Sequence, residues 1–307
     1  MATSTKARHS DLPRRYISDK LTICAIIVSA VLDLSIIIPF KDKAHMTVAC
    51  LESLISYGDE VKEIILVSNN SEDNELEIIR TAADSYKNVK VIIYNHPFNF
   101  QAINNWAGKQ GTGKVLLLLN NDIELVEQSK GLLRKMYDQA LKKTTGAVGC
   151  LLLYEDQKTI QHAGVYLIAG GTADNLYIGR KYKTLLGELQ NPTKPLIDIR
   201  TTRTVTAVTA AAVMVERTKF TTVGGLNEDF IICGGDVDLC LRLEERGYKS
   251  VLIGANEGYM VHKESKSRSM LAVPYIDFVE SYKSYIKHFD VSRGDPYFSQ
   301  EELRNAK

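Results

Sequence analysis

Residues 115–124 read VLLLLNNDIE, and this stretch decides the fold. Five apolar residues in succession, with no helical spacing, predict a strand buried on both faces, as in a parallel sheet covered by helices. The run stops abruptly at Asn120, Asn121 and Asp122, with Glu124 just beyond. In open α/β sheets ligands bind beyond the carboxyl ends of the strands. Amides and carboxylates placed there suit a hard divalent cation such as Mg2+ or Mn2+, which prefers oxygen ligands. The same residues also suit a plain turn or helix cap, and the stretch taken alone does not separate the two.

Upstream, residues 34–40 (LSIIIPF) form a short apolar strand stopped by Pro39. Residues 44–57 carry apolar side chains at helical spacing and end at Gly58. A second strand over 61–67 runs into Ser68-Asn69-Asn70-Ser71; a helix over 75–86 and a third strand over 89–94 follow. A short helix over 102–110 leads into the 115–119 strand. This alternation predicts a parallel, doubly wound sheet with right-handed crossovers. The polar strand ends at Asp42, 68–71, Asn95 and 120–122 would then share one crevice. No GxGxxG follows the first strand, and Gly108–Lys114 lacks P-loop spacing, so a glycine-rich nucleotide cradle is excluded.

Downstream, the pattern gives a helix over 132–141 and a strand over 147–154, and IQHAG at 160–164 breaks the alternation. Residues 165–200 read as a long excursion, of the kind that is functional or disordered. Residues 204–215 read as one strand, 236–247 as a helix buried on more than one side, 250–253 as a strand, and 275–307 as a helix followed by a tail. Residues 1–33 are an N-terminal extension. Its apolar run at 21–32 is about half the length needed to cross a bilayer, which predicts a core-packed segment with interfacial membrane contact as the alternative. The 307 residues suffice for a large core. A net charge of +1 gives no field for nucleic acid. The five cysteines lack metal-type pair spacing, which predicts buried, reduced thiols in a cytosolic protein.

Asp122 at a strand end, Asp236 and Asp238 at a helix start, and His262 after a late strand are the candidate chemistry. Singly, each has an ordinary reading as a cap, a core histidine or a surface charge. Together with SIIIPF, FNFQAINN (98–105), LLNND (118–122), VTAAAVMV (208–215), GGLNEDF (224–230), DVDLCLRLEERGY (236–248) and HKESKSR (262–268), they resemble the bacterial family-2 glycosyltransferases of the GT-A fold, in the branch that builds O-antigens and other cell-surface polysaccharides. The resemblance implies an α/β, Rossmann-like fold with a mostly parallel central sheet and a smaller acceptor-side sheet. The domain would span 34–270, with its nucleotide half at 34–125 and its acceptor half at 126–270; 271–307 would be a C-terminal helix and tail.

It also implies an inverting, metal-dependent transfer from a nucleoside-diphosphate sugar, dTDP-rhamnose or a UDP-hexose such as UDP-GlcNAc, to a lipid-linked glycan. The reaction would run at the cytoplasmic face of the membrane, alongside other polysaccharide-assembly enzymes. Asp122 and His262 would hold Mn2+ or Mg2+. Pro39, Phe40, Asp42, Ser68, Asn70, Asn120 and Asn121 would contact the nucleotide, and Lys266 and Arg268 would close on its diphosphate. Asp236 would be the catalytic base, kept ionised by the helix dipole. Gly235 stands where relatives commonly carry Glu; Gly235, Asp238 and Trp106 would face the acceptor. Trp106, on a short helix, reads more readily as core than as a ring that stacks on sugar, and His162 faces a similar choice between donor-sugar contact and structure. The rival readings are a nucleotidyltransferase, disfavoured because PFKDKAH lacks glycines, and a non-catalytic glycan-binding module of a larger assembly protein.

Overall fold

A computed structural model describes residues 1, 31–168, 172–263, 273–288 and 294–307. Most of the apolar run at 21–32, as well as Lys266 and Arg268, lies outside these residues. Strands β1 (Leu32–Phe40), β2 (Val61–Ser68), β3 (Val89–Ile93) and β4 (Val115–Leu119) are parallel, in the order β3–β2–β1–β4. Helices α1 (Ala44–Tyr57), α2 (Asp73–Ala83) and α3 (Phe100–Gln110) connect them.

The all-apolar β4 is explained by the two cores it divides. Leu116 and Leu118 pack with Ile103 and Ala107 of α3 on one face. Val115, Leu117 and Leu119 pack with Leu51 and Leu54 of α1 on the other. Helices therefore cover both faces, and the strand order reverses at β1, which has β2 on one side and β4 on the other. That reversal opens a crevice beyond the carboxyl ends of β1 and β4.

The second half extends the same sheet. After β5 (Ile123–Glu124) and α4 (Leu132–Ala140) come β6 (Thr145–Tyr154) and β7 (Ile160–His162). The segment at 165–200, read from the sequence as an excursion, holds a hairpin, β8 (Val165–Ile168) with β9 (Thr172–Asn175), and a helix, α5 (Tyr182–Gln190). The stretch read as one strand over 204–215 is two: β10 (Arg203–Val205) and β11 (Ala212–Glu216). β11 runs antiparallel between β4 and β6.

The remaining elements are α6 (Arg217–Thr222), α7 (Gly235–Glu245), β12 (Lys249–Ile253), β13 (Tyr259–His262), α8 (Tyr275–His288) and α9 (Gln300–Ala306). The expected tail thus contains a helix, capped by Ser299 and Glu302. Among the described residues no helix is long and apolar enough to cross a membrane.

Candidate active site

A cavity of about 450 Å³ lies at the strand-order reversal. In its lining, the antiparallel ladder of β5 and β13 pairs His262 with Ile123, next to Asp122. His262 Nε2 stands 3.0 Å from Asp122 Oδ1, and Nδ1 stands 2.7 Å from Gln161 Oε1. The amide oxygen of Gln161 accepts from Nδ1, which turns Nε2 toward the carboxylate. Nε2 and Oδ1 therefore converge at a spacing that two ligands of one metal ion can share. Among the described residues no cluster of three or more His, Cys, Asp or Glu side chains forms a closed metal cage. One carboxylate and one imidazole, with the remaining positions left to substrate phosphate and water, match the way Mg2+ and Mn2+ are held in nucleotide sites. The residues present therefore fit a divalent metal.

The same cavity is lined by Asp236, at the second position of α7. Its Oδ2 accepts the N–H of Ala210 at 3.0 Å and its Oδ1 that of Val237 at 2.9 Å. Burial pushes its carboxyl above the ordinary value, against the pull of these donors. Desolvation outweighs the donors in the net direction and makes this carboxylate a stronger base than an exposed aspartate.

Several sequence motifs serve to hold Asp236 in place. Asn99 caps α3, accepting from Ala102 N–H, and its amide donates to the Glu228 carbonyl. Asn105 exchanges hydrogen bonds with both backbone groups of Leu226. Asp277, almost fully buried on α8, accepts the N–H groups of Ile231, Ile232 and Cys233 at 2.6–2.9 Å. The chain then enters α7 through Gly234, whose φ of 88° is left-handed.

Of the residues expected to bind nucleotide, Pro39, Phe40, Asn120 and Asn121 line the cavity. Asp42 instead ties the loop after β1 to the loop after β2, donating its N–H to Ser71 Oγ and accepting that of Glu72. Ser68 is buried, Asn70 is exposed, and neither lines the cavity; Asn69 between them does. Trp106 packs against the Tyr94 ring at 5.3 Å, outside the cavity. Asp238 is buried under α8, where it accepts from Arg242 Nε at 2.7 Å and Ser284 Oγ at 2.6 Å.

Gly235 faces Gln101: an added Cβ would lie 2.6 Å from its amide. Lys41, Lys43, Asn69, Phe98 and Phe100 line the cavity and were not anticipated. One signal for the first two was their position immediately after a strand end. The left-handed φ of Asp42 (51°) and Lys43 (52°), a strained conformation typical of functional loops, is visible only in the structure.

The model for the family described as Glycosyl transferase family 2 matches residues 35–199. Over 266 residues the chain is 37% identical to the O-antigen biosynthesis protein RfbC of Myxococcus xanthus, which covers 86% of this chain and 20% of that protein. The chain belongs to glycosyl transferase family 2. It is also 36% identical over 244 residues to the uncharacterized protein y4gI of Sinorhizobium fredii, covering 76% of this chain. The chain spans a fifth of the first relative's length and a quarter of the second's.

Among solved structures, GalNAc-T7 with UDP, GalNAc and Mn2+ superposes with a TM-score of 0.59 at 14% identity, covering 86% of this chain and 56% of that one. The mannosyltransferase PcManGT of Pyrobaculum calidifontis, in complex with GDP-Man and Mn2+, gives 0.53 at 13% identity over 78% of this chain and 59% of that one. These likenesses bear on the fold, which is the GT-A α/β arrangement expected from the motifs. This family-2 member is a glycosyltransferase domain.

Proposed function

We propose that this family-2 domain performs a metal-dependent, inverting transfer of a sugar from a nucleoside diphosphate to a glycan hydroxyl. One observation carries the reading: a single cavity is lined both by the Asp122–His262 pair and by Asp236. Asp122 and His262 would hold Mn2+ or Mg2+, which, when bound, neutralises charge developing on the departing diphosphate. Lys41 and Lys43 add positive charge at the same cavity. Asp236 takes the proton of the acceptor hydroxyl as its oxygen bonds to the anomeric carbon and the bond to the diphosphate breaks. A double displacement would need a second free carboxylate as nucleophile. Asp122 is committed to His262, which leaves Asp236 for base work and favours single displacement with inversion.

The name of the Myxococcus relative and the motifs support a surface glycan, lipid-linked and extended at the inner membrane face, as acceptor. They support dTDP-rhamnose or a UDP-hexose as donor, with other assembly enzymes as partners. The test is a thermal-shift panel of sugar nucleotides with and without Mn2+, followed by nucleoside-diphosphate release on adding lipid-linked glycan. A donor that binds the folded state raises Tm, and Asp236→Asn should keep that shift while losing release. The proposal is rejected if no sugar nucleotide raises Tm with Mn2+ present.

A further inference from the structure

Asp236 faces two cavities. One is the donor cavity already described. The other, about 310 Å³, is lined by Asp236 together with residues of the β8–β9 hairpin and α8. It falls in the size range of ligand pockets, roughly 300–1,000 Å³. Thr209, Cys233, Gly234 and Asp236 border both cavities. The Tyr285 hydroxyl on its wall is held above its ordinary value by burial and by the Asp236 charge, so the two groups sense each other.

In a single displacement the nucleophile approaches from the side opposite the leaving group, with the base on the nucleophile's side. On the transferase reading the diphosphate lies at Asp122 and His262, which border the first cavity alone, whereas Asp236 borders both. A hydroxyl in the second cavity would reach the carboxylate without occupying the donor's space.

The lining states the chemistry of the occupant. Among the described residues no Lys or Arg borders this cavity, whereas Lys41 and Lys43 border the first. A phosphate-bearing group would find no counter-charge there. Asp174, Asn175, Thr209 and Ser281 instead supply hydroxyl-compatible donors and acceptors, and Phe278, half exposed at 50%, supplies an apolar ring face. One of the donors is pre-set. His162 Nδ1 stands 2.5 Å from Asn175 Oδ1, and burial keeps the imidazole neutral, with its pKa pulled down to about 4. Its N–H donates to the amide oxygen, which leaves the amide NH2 of Asn175 as the group offered to a ligand. A polyol with one apolar face, a pyranose ring, uses all of these features.

We infer that this second cavity is the acceptor subsite, that it takes a neutral sugar ring, and that Asn175 and Phe278 are its specificity-determining residues; this rests on the transferase reading. The experiment is saturation-transfer NMR on the full chain with UDP or dTDP and Mn2+, using a panel of methyl glycosides of common neutral hexoses, 6-deoxyhexoses and N-acetylhexosamines as probes. At least one glycoside should receive saturation from the wild type. In Asn175→Ala and Phe278→Ala its affinity should fall about tenfold, the effect of one lost polar or stacking contact, with the nucleotide signal unchanged; Tm should hold in Phe278→Ala and fall in Asn175→Ala, which leaves the buried His162 N–H without its acceptor. Ser281→Trp, which fills the cavity, should abolish glycoside signals and keep nucleotide signals. The assignment is overturned if no glycoside binds the wild type while the nucleotide does, or if glycosides bind all variants equally. Failure of the wild type to bind any nucleotide would instead remove the transferase reading itself.

Discussion

The wall beside α7 makes a quantitative prediction. Gly235 opens α7, and a Cβ there would lie 2.6 Å from the Gln101 amide carbon and oxygen and 2.8 Å from its nitrogen. Gln101 is 1% exposed, and its Nε2 donates to the Ile232 carbonyl at 3.3 Å. Its Oε1 is buried without a hydrogen-bond partner among the described residues. Gly→Ala in open helical backbone stabilises by roughly 0.4–1 kcal/mol. Overpacking a filled site costs about 1–3 kcal/mol. The second effect is larger, so Gly235→Ala should cost about 1–2 kcal/mol, or a few degrees in Tm at roughly 2–4 °C per kcal/mol. Gln101→Ala empties the space the new methyl needs. In that background Gly235→Ala should become neutral or stabilising, a coupling of at least about 1 kcal/mol. Denaturant and thermal unfolding of the four proteins in this cycle measure it. Additivity within about 0.5 kcal/mol would refute the steric argument.

Further outcomes follow from the same geometry. Because burial raises the Asp236 carboxyl, activity should be lost as pH falls through a value above the ordinary carboxylate range near 4; a kcat/KM profile with its acid limb at or below that range contradicts the assignment. Asp277→Ala leaves three loop N–H groups without their acceptor and should cost about 3 kcal/mol or more and impair turnover, measured by urea unfolding and initial rates. Burial would raise the carboxyl of Glu63, but hydrogen bonds from Thr112, Lys90 and Ser35 override it and bring its pKa down to about 2. Its folded pKa lies below its unfolded one, so its contribution is present above about pH 5 and lost as pH falls toward 2. Glu63→Gln should therefore destabilise by about 1–2 kcal/mol at pH 7, allowing for solvent screening, with the difference closing in acid.

The first half of the fold was legible because parallel strands buried on both faces must be written as apolar runs, as in IIIPF of β1, IILV of β2 and VLLLL of β4. The split of 204–215 was not, because Thr, Val and Ala at 206–211 read as strand. In the structure that segment leaves the ladder to serve the site: Ala210 N–H reaches Asp236, and the Ala211 carbonyl accepts from Asn120 N–H. The hairpin and helix in 165–200 are short and interspersed with glycine and proline, so local pattern hid them. Asp122, His262 and Asp236 could be named from motifs. Which neighbour of each faces the cavity could not, since Ser68, Asn69 and Asn70 are chemically interchangeable until the Asn69 amide is seen binding the Tyr94 and His96 carbonyls.

The most direct test is anomalous diffraction from crystals of this chain soaked with Mn2+ and a nucleoside diphosphate. A single manganese peak within coordination distance of Asp122 Oδ1 and His262 Nε2, bridging to the diphosphate, with the Asp236 carboxylate facing it across the cavity but outside its coordination sphere, is the predicted result. A peak ligated by Asp236, or a diphosphate bound away from Asp122 and His262, would contradict the assignment of metal and base to different residues lining one cleft.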